Sequence, residues 1–270
     1  MIIAQLSDPH VAVAGTHFHD LYHTIDKLKA AIERVNTLSP RPDFVVMTGD
    51  LVNSGSLEEY AVFRDIMDNL DIPVFLGIGN HDNRDNFRQA FADTDYLPAD
   101  GFIQYVWKKD NLRLLMLDTH VPGHHHGILC EDRLKWLDET LAQDPDIPTV
   151  IFMHHPPFIT GIKAMDDMGL KDADAFGKII EKHSQIIHLF CGHLHRSITS
   201  EFYGTPAQIC PSTSHKVVLH LEKDSYLATV DEPAEILLHI WLNETDLVSH
   251  NCFTGKYHQL WKLDVQPAKP

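Results

Sequence analysis

The chain has 270 residues, 44% of them hydrophobic and 22% charged, which is the composition of a globular protein with one large core. The 38 Asp and Glu residues outnumber the 22 Lys and Arg residues, and a formal net charge of −16 repels the phosphate backbone of a nucleic acid polymer. No stretch approaches the roughly 20 apolar residues that cross a bilayer, and the first ten residues lack the pattern of a signal peptide.

Short apolar segments alternate with helical patterns over most of the chain. Continuous apolar runs rich in β-branched residues predict buried strands at residues 2–6, 44–47, 74–78, 112–117, 149–153 and 186–190. Apolar residues spaced three and four apart predict helices at residues 24–38, 57–70 and 131–141. This alternation predicts a layered α/β domain, which we assign to residues 1–205.

The pattern changes after about residue 206. Strand-like runs at residues 216–221, 234–241 and 246–253 are separated by polar turns, and residues 264–270 read as a loose tail. We interpret residues 206–270 as a β-rich C-terminal extension that acts as a cap over the site or as a dimerisation segment.

The four cysteines are far apart and form no CxxC pair. They predict neither a disulfide framework nor a thiolate zinc site, but reduced thiols in a cytoplasmic protein. The chain also contains 20 His, an unusual number for its length, so the positions of the histidines need an explanation.

Polar side chains follow five of the predicted strands, at the point where each strand ends. In chain order they are Asp8 and His10, then Asp50, then Asn80, His81 and Asp82, then His154 and His155, and finally His193 and His195. Taken singly, each could be a turn residue, a helix cap or a core histidine. The carboxyl ends of strands in an open α/β sheet, however, converge on one crevice.

The chemistry of this set favours metal binding. Carboxylate, amide and imidazole groups without a thiolate suit borderline divalent ions such as Zn, Mn and Fe. One carboxylate that bridges two such ions would form a two-metal site of the kind that hydrolyses phosphate esters.

The same residues resemble, in order, the five motifs of the calcineurin-like metallophosphoesterases. The motifs read Asp8-x-His10, Gly49-Asp50, Gly79-Asn80-His81-Asp82, His154 in "MHHPP" and Gly192-His193-x-His195, and the resemblance covers residues 3 to about 196. Within that superfamily, "GDLVNSGSLEEY", "FCGHLH" and "PSTSH" resemble the branch of class III cyclic-nucleotide phosphodiesterases and bacterial glycerophosphodiesterases. The resemblance implies a β-sandwich flanked by helices, in αββα layers.

The resemblance also implies roles for these residues. It assigns one ion to Asp8, His10 and His195, the second ion to Asn80, His154 and His193, and a bridging position to Asp50. His81 would face the scissile phosphate, with Asp50 and Asn80 as the other catalytic residues, while Asp82 would support the His81 ring. A metal-bound hydroxide would attack phosphorus, and the two divalent or mixed-valence ions would be Fe, Mn, Zn or Co.

Other residues are assigned on weaker grounds. Asn53, His120 and His215 are predicted to contact the substrate, although each is also an ordinary strand-end or turn residue. We expect His155 to point away from the ligands. The histidine clusters at residues 17–23 and 124–126 read first as solvated surface segments, with substrate contact as the alternative.

The implied activity is hydrolysis of a small phosphodiester, either a cyclic nucleotide or a glycerophosphodiester. The same ligands would also serve a phosphomonoesterase, a phosphonate monoester hydrolase or a nucleotide pyrophosphatase, whereas a non-catalytic scaffold of this fold would be expected to lack some of them. Ser54 stands where some glycerophosphodiesterase relatives carry a cysteine that links subunits. We therefore expect no such link, and predict a homodimer or higher homo-oligomer through the C-terminal segment.

Overall fold

A computed structural model describes residues 1–222, 226–243, 246–258 and 260–261. The predicted tail at residues 264–270 lies outside the described residues, as does the end of the predicted C-terminal extension. None of the helices in the described part combines the length and the apolar character needed to cross a bilayer.

Two large sheets form the centre of the fold. In hydrogen-bonded order, the first consists of β15 (Leu247–Phe253), β14 (Glu235–Trp241), β1 (Ile2–Leu6), β2 (Phe44–Thr48) and β3 (Val74–Gly77). The second consists of β10 (Ile198–Phe202), β11 (Thr205–Ile209), β9 (Ile186–Cys191), β7 (Thr149–Met153), β5 (Leu112–Leu117) and β4 (Tyr105–Lys109). The two-stranded sheets are β12 (Lys216–Val217) with β13 (Thr229–Val230), and β6 (Gly127–Ile128) with β8 (Leu170–Lys171).

Helices cover the outer faces of both sheets. In the described residues they are α1 (His17–Tyr22), α2 (Thr24–Thr37), α3 (Leu57–Met67), α4 (Arg84–Ala90), α5 (Glu131–Gln143), α6 (Lys163–Asp166) and α7 (Ala173–Lys182). The start of α3 is fixed by a capping box, in which Ser56 accepts from the amide of Glu59 and the Glu59 side chain accepts from the amide of Ser56.

Alternation along the strands creates the layers. On β1, Ile3 packs into the core between the two sheets, whereas Ala4 and Leu6 pack into the core beneath the helices α2 to α4. A third core lies between the second sheet and helices α5 and α7. The predicted αββα sandwich is therefore confirmed, and each of the six predicted strands ends within one residue of its observed bounds.

The C-terminal strands are part of the two large sheets. β14 pairs antiparallel with β1, and β11 pairs parallel with β9. The predicted strand at residues 216–221 is shorter than expected, because only Lys216–Val217 is extended in a ladder. The predicted domain boundary between residues 205 and 206 stays a prediction. Strand β11 crosses this boundary and is hydrogen-bonded to β10 and β9.

Candidate metal centre

The carboxyl ends of strands from both sheets meet at one place. The amide of Asp8 donates to the carbonyl of Gly49 at 3.1 Å, which joins the ends of β1 and β2. The amide of His193 donates to both carboxylate oxygens of Asp8 at 3.1 Å, which joins the second sheet to the first. The residues that follow five strands are thereby held against one another.

The backbone is unusual at the predicted ligands. Nine described residues other than glycine have positive φ, and five of them are predicted ligands. These five are Asp8 at 51°, His10 at 45°, Asp50 at 48°, His193 at 73° and His195 at 59°. Left-handed conformations cost free energy outside glycine and concentrate at functional sites, so their clustering here indicates a site rather than ordinary turns.

Two glycines allow the strand ends to approach. A Cβ atom on Gly79 would lie 2.2 Å from Oδ1 of Asp50, and one on Gly192 would lie 2.2 Å from Oγ of Ser7 and 2.9 Å from Oδ2 of Asp8. Neither position has room for a side chain. The glycines of the GNHD and GHLH motifs are therefore required by close approach to the acidic residues.

Seven of the polar residues that follow the strands form two groups of potential ligands. In each group, one potential ligand atom from every member lies within 4.8 Å of those of the other members. The first group consists of Asp8, His10, Asp50 and His195, and the second of His154, His155 and His193. All seven side chains are buried.

Asp50 connects the two groups. Its Oδ2 atom lies 3.5 Å from Nε2 of His10 and 3.3 Å from Nε2 of His154. Oδ1 of Asn80 lies 3.1 Å from the same Nε2 atom of His154 and places the amide beside the second group. One carboxylate oxygen that faces an imidazole from each group has the placement expected of a bridging ligand.

The hydrogen bonds of these imidazoles fit metal ions. Nδ1 of His154 and Nδ1 of His195 donate to backbone carbonyls at 2.8 Å and 2.9 Å, so Nε2 is the nitrogen of each ring that carries the lone pair when the ring is neutral. Those Nε2 atoms face Oδ2 of Asp50 and Oδ1 of Asp8, each at 3.3 Å. Nε2 of His193 is buried without a hydrogen-bond partner among the described residues. Lone pairs that converge on carboxylates call for a cation, and a carbonyl behind the ring is typical of a metal ligand.

Burial and charge act against each other on these groups. Burial raises the pKa of Asp50, but His154 and His81 together hold it well below its ordinary value. Burial lowers the pKa of His154, but Asp50 outweighs it and raises this pKa to about 9. Burial, and then His154, lower the pKa of His193 to about 3. Ionised Asp50 and neutral His193 are the forms that bind metal, whereas His154 must release the proton on Nε2 when an ion binds.

His81 is held by a backbone carbonyl rather than by Asp82. Its Nδ1 atom donates to the carbonyl of Asn53 at 2.7 Å, and its amide donates to Oδ1 of Asp50 at 2.8 Å. Asp82 instead accepts from the hydroxyl of Tyr60 at 2.9 Å and from two backbone amides of the neighbouring strand ends. The expectation that Asp82 supports the His81 ring is therefore wrong, and Asp82 braces the loop that carries it.

A cavity of about 280 Å³ is lined by ligands of both groups and by His81. Of the three residues predicted to contact substrate, His215 lines this cavity, whereas Asn53 and His120 lie outside its described lining. The carbonyl of His120 accepts from Nη2 of Arg84 at 3.1 Å, and burial, with Arg84, lowers the pKa of His120 to about 4.

The second histidine cluster reaches the cavity through His125. Its Nδ1 atom lies 3.4 Å from Nδ2 of Asn80, and its carbonyl accepts from Nε2 of His155 at 3.1 Å. Nδ1 of His155 accepts from the hydroxyl of Thr119 at 2.7 Å. His155 was expected to point away from the ligands but belongs to the second group, where Thr119 engages its Nδ1 atom and the histidine-rich loop engages its Nε2 atom.

The first histidine cluster lies on α1 and on His23, which follows that helix. His17 and His23 are exposed, and the side chain that reaches the cavity from this helix is Phe18. Met165 and Met168 line the cavity as well. Sequence reasoning missed these three residues, because apolar side chains at helical spacing carry no signal that separates a cavity wall from a core.

Comparisons with known proteins bear on the family and the fold. A family model described as calcineurin-like phosphoesterase matches residues 1–197. The chain is 34% identical to a probable glycerophosphodiester phosphodiesterase of Arcobacter nitrofigilis, over 95% of the chain and 94% of the relative. It is also 34% identical to a probable cyclic nucleotide phosphodiesterase of Rhodopseudomonas palustris, over 92% of the chain and 90% of the relative. The fold resembles a solved dimetal phosphatase from Danio rerio, with 15% identity, 92% and 98% coverage and a TM-score of 0.65.

Proposed function

The chain belongs to the calcineurin-like phosphoesterase family, and from that premise we propose that it hydrolyses small phosphodiesters at a dinuclear metal centre. The substrate is a cyclic nucleotide or a glycerophosphodiester. The observation that carries the proposal is the Asp50 carboxylate, whose Oδ2 atom faces His10 of one group and His154 of the other. The relatives support diester chemistry, because both are named as phosphodiesterases.

In this proposal the two ions share one ligand. Asp8, His10, Asp50 and His195 would hold the first ion, and Asp50, Asn80, His154 and His193 would hold the second. Neither set contains a thiolate, and the mixture of carboxylate, amide and imidazole suits Fe, Mn, Zn or Co. Two ions held there would supply positive charge for the phosphate and would acidify a water molecule.

His81 is the residue that we propose to act on the substrate. The hydrogen bond from Nδ1 to the Asn53 carbonyl fixes the ring and leaves Nε2 as the nitrogen available to the cavity. In its protonated form this nitrogen donates to a non-bridging phosphate oxygen or gives its proton to the departing alcohol. The bond from the His81 amide to Asp50 holds the ring in register with the bridging ligand.

The proposal includes a small substrate and a cytoplasmic location. A cavity of about 280 Å³ suits a single diester, and the net charge of −16 disfavours a nucleic acid polymer. The four free cysteines support a reducing compartment.

It also includes a homo-oligomer through the C-terminal strands. β15 is an edge strand of the five-stranded sheet, and its side chains include the exposed Val248 and Phe253. Light scattering coupled to size-exclusion chromatography tests this part, and a monomer at all concentrations would remove it from the proposal.

Turnover by the manganese-loaded protein tests the activity. Bis(p-nitrophenyl) phosphate, cyclic AMP and glycerophosphoethanolamine are compared with p-nitrophenyl phosphate as the monoester. Asp50→Ala should abolish diester turnover, whereas Asp146→Ala, which removes an exposed carboxylate before the start of β7, at the opposite end of that strand from His154, should leave it unchanged. Failure on every diester with two metals bound would sink the phosphodiesterase proposal and favour a monoester, pyrophosphate or phosphonate.

A further inference from the structure

The cavity has two chemically different sides. The ligand groups form a polar side, whereas apolar side chains from segments outside the five motifs form the other side. Phe18 comes from α1, Met165 from α6, Met168 from the turn that follows it, Val217 from β12 and Leu227 from the segment before β13. A substrate phosphate bound at the ligand groups therefore leaves part of the diester against apolar side chains.

Three of these five apolar side chains are accessible rather than packed away. Leu227 is 55% exposed, and Phe18 and Met168 are half-buried, whereas Met165 and Val217 are each 5% exposed and also belong to the core under the second sheet. Apolar side chains left accessible beside a polar site are typical of a ligand-binding wall. Methionine adapts its shape to flat groups and makes favourable contacts with aromatic rings.

The wall is fixed in position. The Tyr22 ring stacks on His215 with centroids 4.2 Å apart, and its hydroxyl lies 2.8 Å from Oγ1 of Thr229. These contacts hold α1 against the segment that carries Val217 and Leu227. The Phe18 ring lies 5.8 Å from that of His215, at the border between the apolar and the polar side.

The cavity lining carries few charged side chains. Among the described lining residues, Asp50 is the only carboxylate, and none is Lys or Arg. Asp50 is already engaged by the proposed metal ions, so an ammonium group on the substrate finds no free counter-charge among the described lining residues and loses hydration at the apolar wall. Phe18 is the only Phe, Tyr or Trp side chain in that lining, which is too few for an aromatic cage around a quaternary ammonium.

We infer that this site selects phosphodiesters whose second alcohol is uncharged and apolar or aromatic over diesters of an ammonium alcohol such as ethanolamine or choline. The inference rests on the proposed phosphodiesterase function and names the substrate class for it. Met168 and Leu227 are the specificity-determining residues, because a carboxylate at either position would supply the missing counter-charge.

The test compares two glycerol phosphodiesters, one of benzyl alcohol and one of ethanolamine, with the manganese-loaded enzyme. The measured quantity is the ratio of their kcat/KM values, benzyl over ethanolamine. The intrinsic reactivity of the two esters is the same with every variant, so it cancels when the ratios of two variants are compared. In the wild type we expect a ratio of roughly tenfold or more, the scale on which pocket contacts discriminate substrates.

Met168→Glu should lower the ratio by roughly tenfold, through a higher kcat/KM for the ethanolamine ester. Met168→Gln, of the same size without the charge, should lower it much less, and Met168→Leu should leave it unchanged. Leu227→Glu, at a more exposed position, should shift the ratio in the same direction even if Met168→Glu folds poorly.

Two outcomes overturn the inference. One is a wild-type ratio below one, and the other is active Glu variants whose ratio equals that of the wild type. If neither ester is hydrolysed, the phosphodiesterase proposal fails by itself. Dissociation constants of the two esters, measured by calorimetry, then decide the selectivity, and tighter binding of the ethanolamine ester would refute it.

Discussion

Replacing Gly79 with alanine is expected to weaken metal binding while leaving the fold intact. The added Cβ atom would lie 2.2 Å from Oδ1 of Asp50, 2.6 Å from the Asp50 amide nitrogen and 2.7 Å from Cε1 of His154. Gly79 does not have positive φ, so alanine adds these contacts without backbone strain. All three belong to residues that we propose as metal ligands.

The size of the effect follows from the shortfall in distance. Ordinary contact begins at 3.4 Å, so Asp50 must move by about 1.2 Å to accommodate a Cβ atom that would lie 2.2 Å away. Overpacking of this kind costs about 1–3 kcal/mol of unfolding free energy. A displacement of about 1 Å at a catalytic group lowers the rate roughly 100-fold, and disturbed ligand support lowers metal affinity about 10–100-fold.

Calorimetric titration of the apo protein with Mn²⁺ measures the affinity, and turnover of bis(p-nitrophenyl) phosphate at limiting and excess metal measures the rate. Gly169→Ala is the matched control, because its nearest contact would be 3.3 Å and its φ is not positive. The activity of Gly79→Ala should recover in part with excess metal. Wild-type affinity for both ions in a folded Gly79→Ala protein would refute the reasoning.

Two further substitutions test packing and electrostatics. Tyr60→Phe removes a hydroxyl that donates to Asp82 at 2.9 Å and accepts from the Asn83 amide at 3.1 Å. Urea denaturation should therefore show a loss of about 1–3 kcal/mol in the free energy of unfolding. An unchanged denaturation midpoint would contradict this. Burial lowers the pKa of His188 to about 4 from an ordinary 6.5, so protonation favours the unfolded chain and stability falls as the pH drops from 6.5 towards 4. His188→Phe, which retains an aromatic ring against Phe190, should lose about 2 kcal/mol less than the wild type between pH 7 and pH 5, and equal losses would show that His188 is not responsible.

The sheets and the strand-end residues could be predicted from the sequence because both follow from local patterns. Buried strands appear as short apolar runs, and the ends of neighbouring parallel strands meet at one edge whatever the loops do. This is why the proximity of Asp8, Asp50 and His193 could be predicted from the sequence. Their metal-binding roles stay predictions until an ion is observed.

The partners of the C-terminal strands could not be predicted in this way. The pattern at residues 234–241 indicates a strand, but pairing with β1 joins residues more than 200 positions apart and leaves no local trace. The chain therefore looked like a core with an extension, although its last strands complete the core.

Some site contacts also lack a sequence signature. Asn53 holds His81 through a backbone carbonyl, which any residue could supply. His155 follows the end of β7 at Met153, so strand alternation no longer fixes its direction. Met168 belongs to the cavity only because α6 lies beside the ligand groups.

The most direct test of the account is a crystal structure of the manganese-loaded protein with anomalous data collected at the manganese edge. The account predicts two anomalous peaks per chain, roughly 3.5–4 Å apart and both bonded to the Asp50 carboxylate. A single peak, or two peaks of which one lies away from Asp50, would contradict the shared-ligand centre.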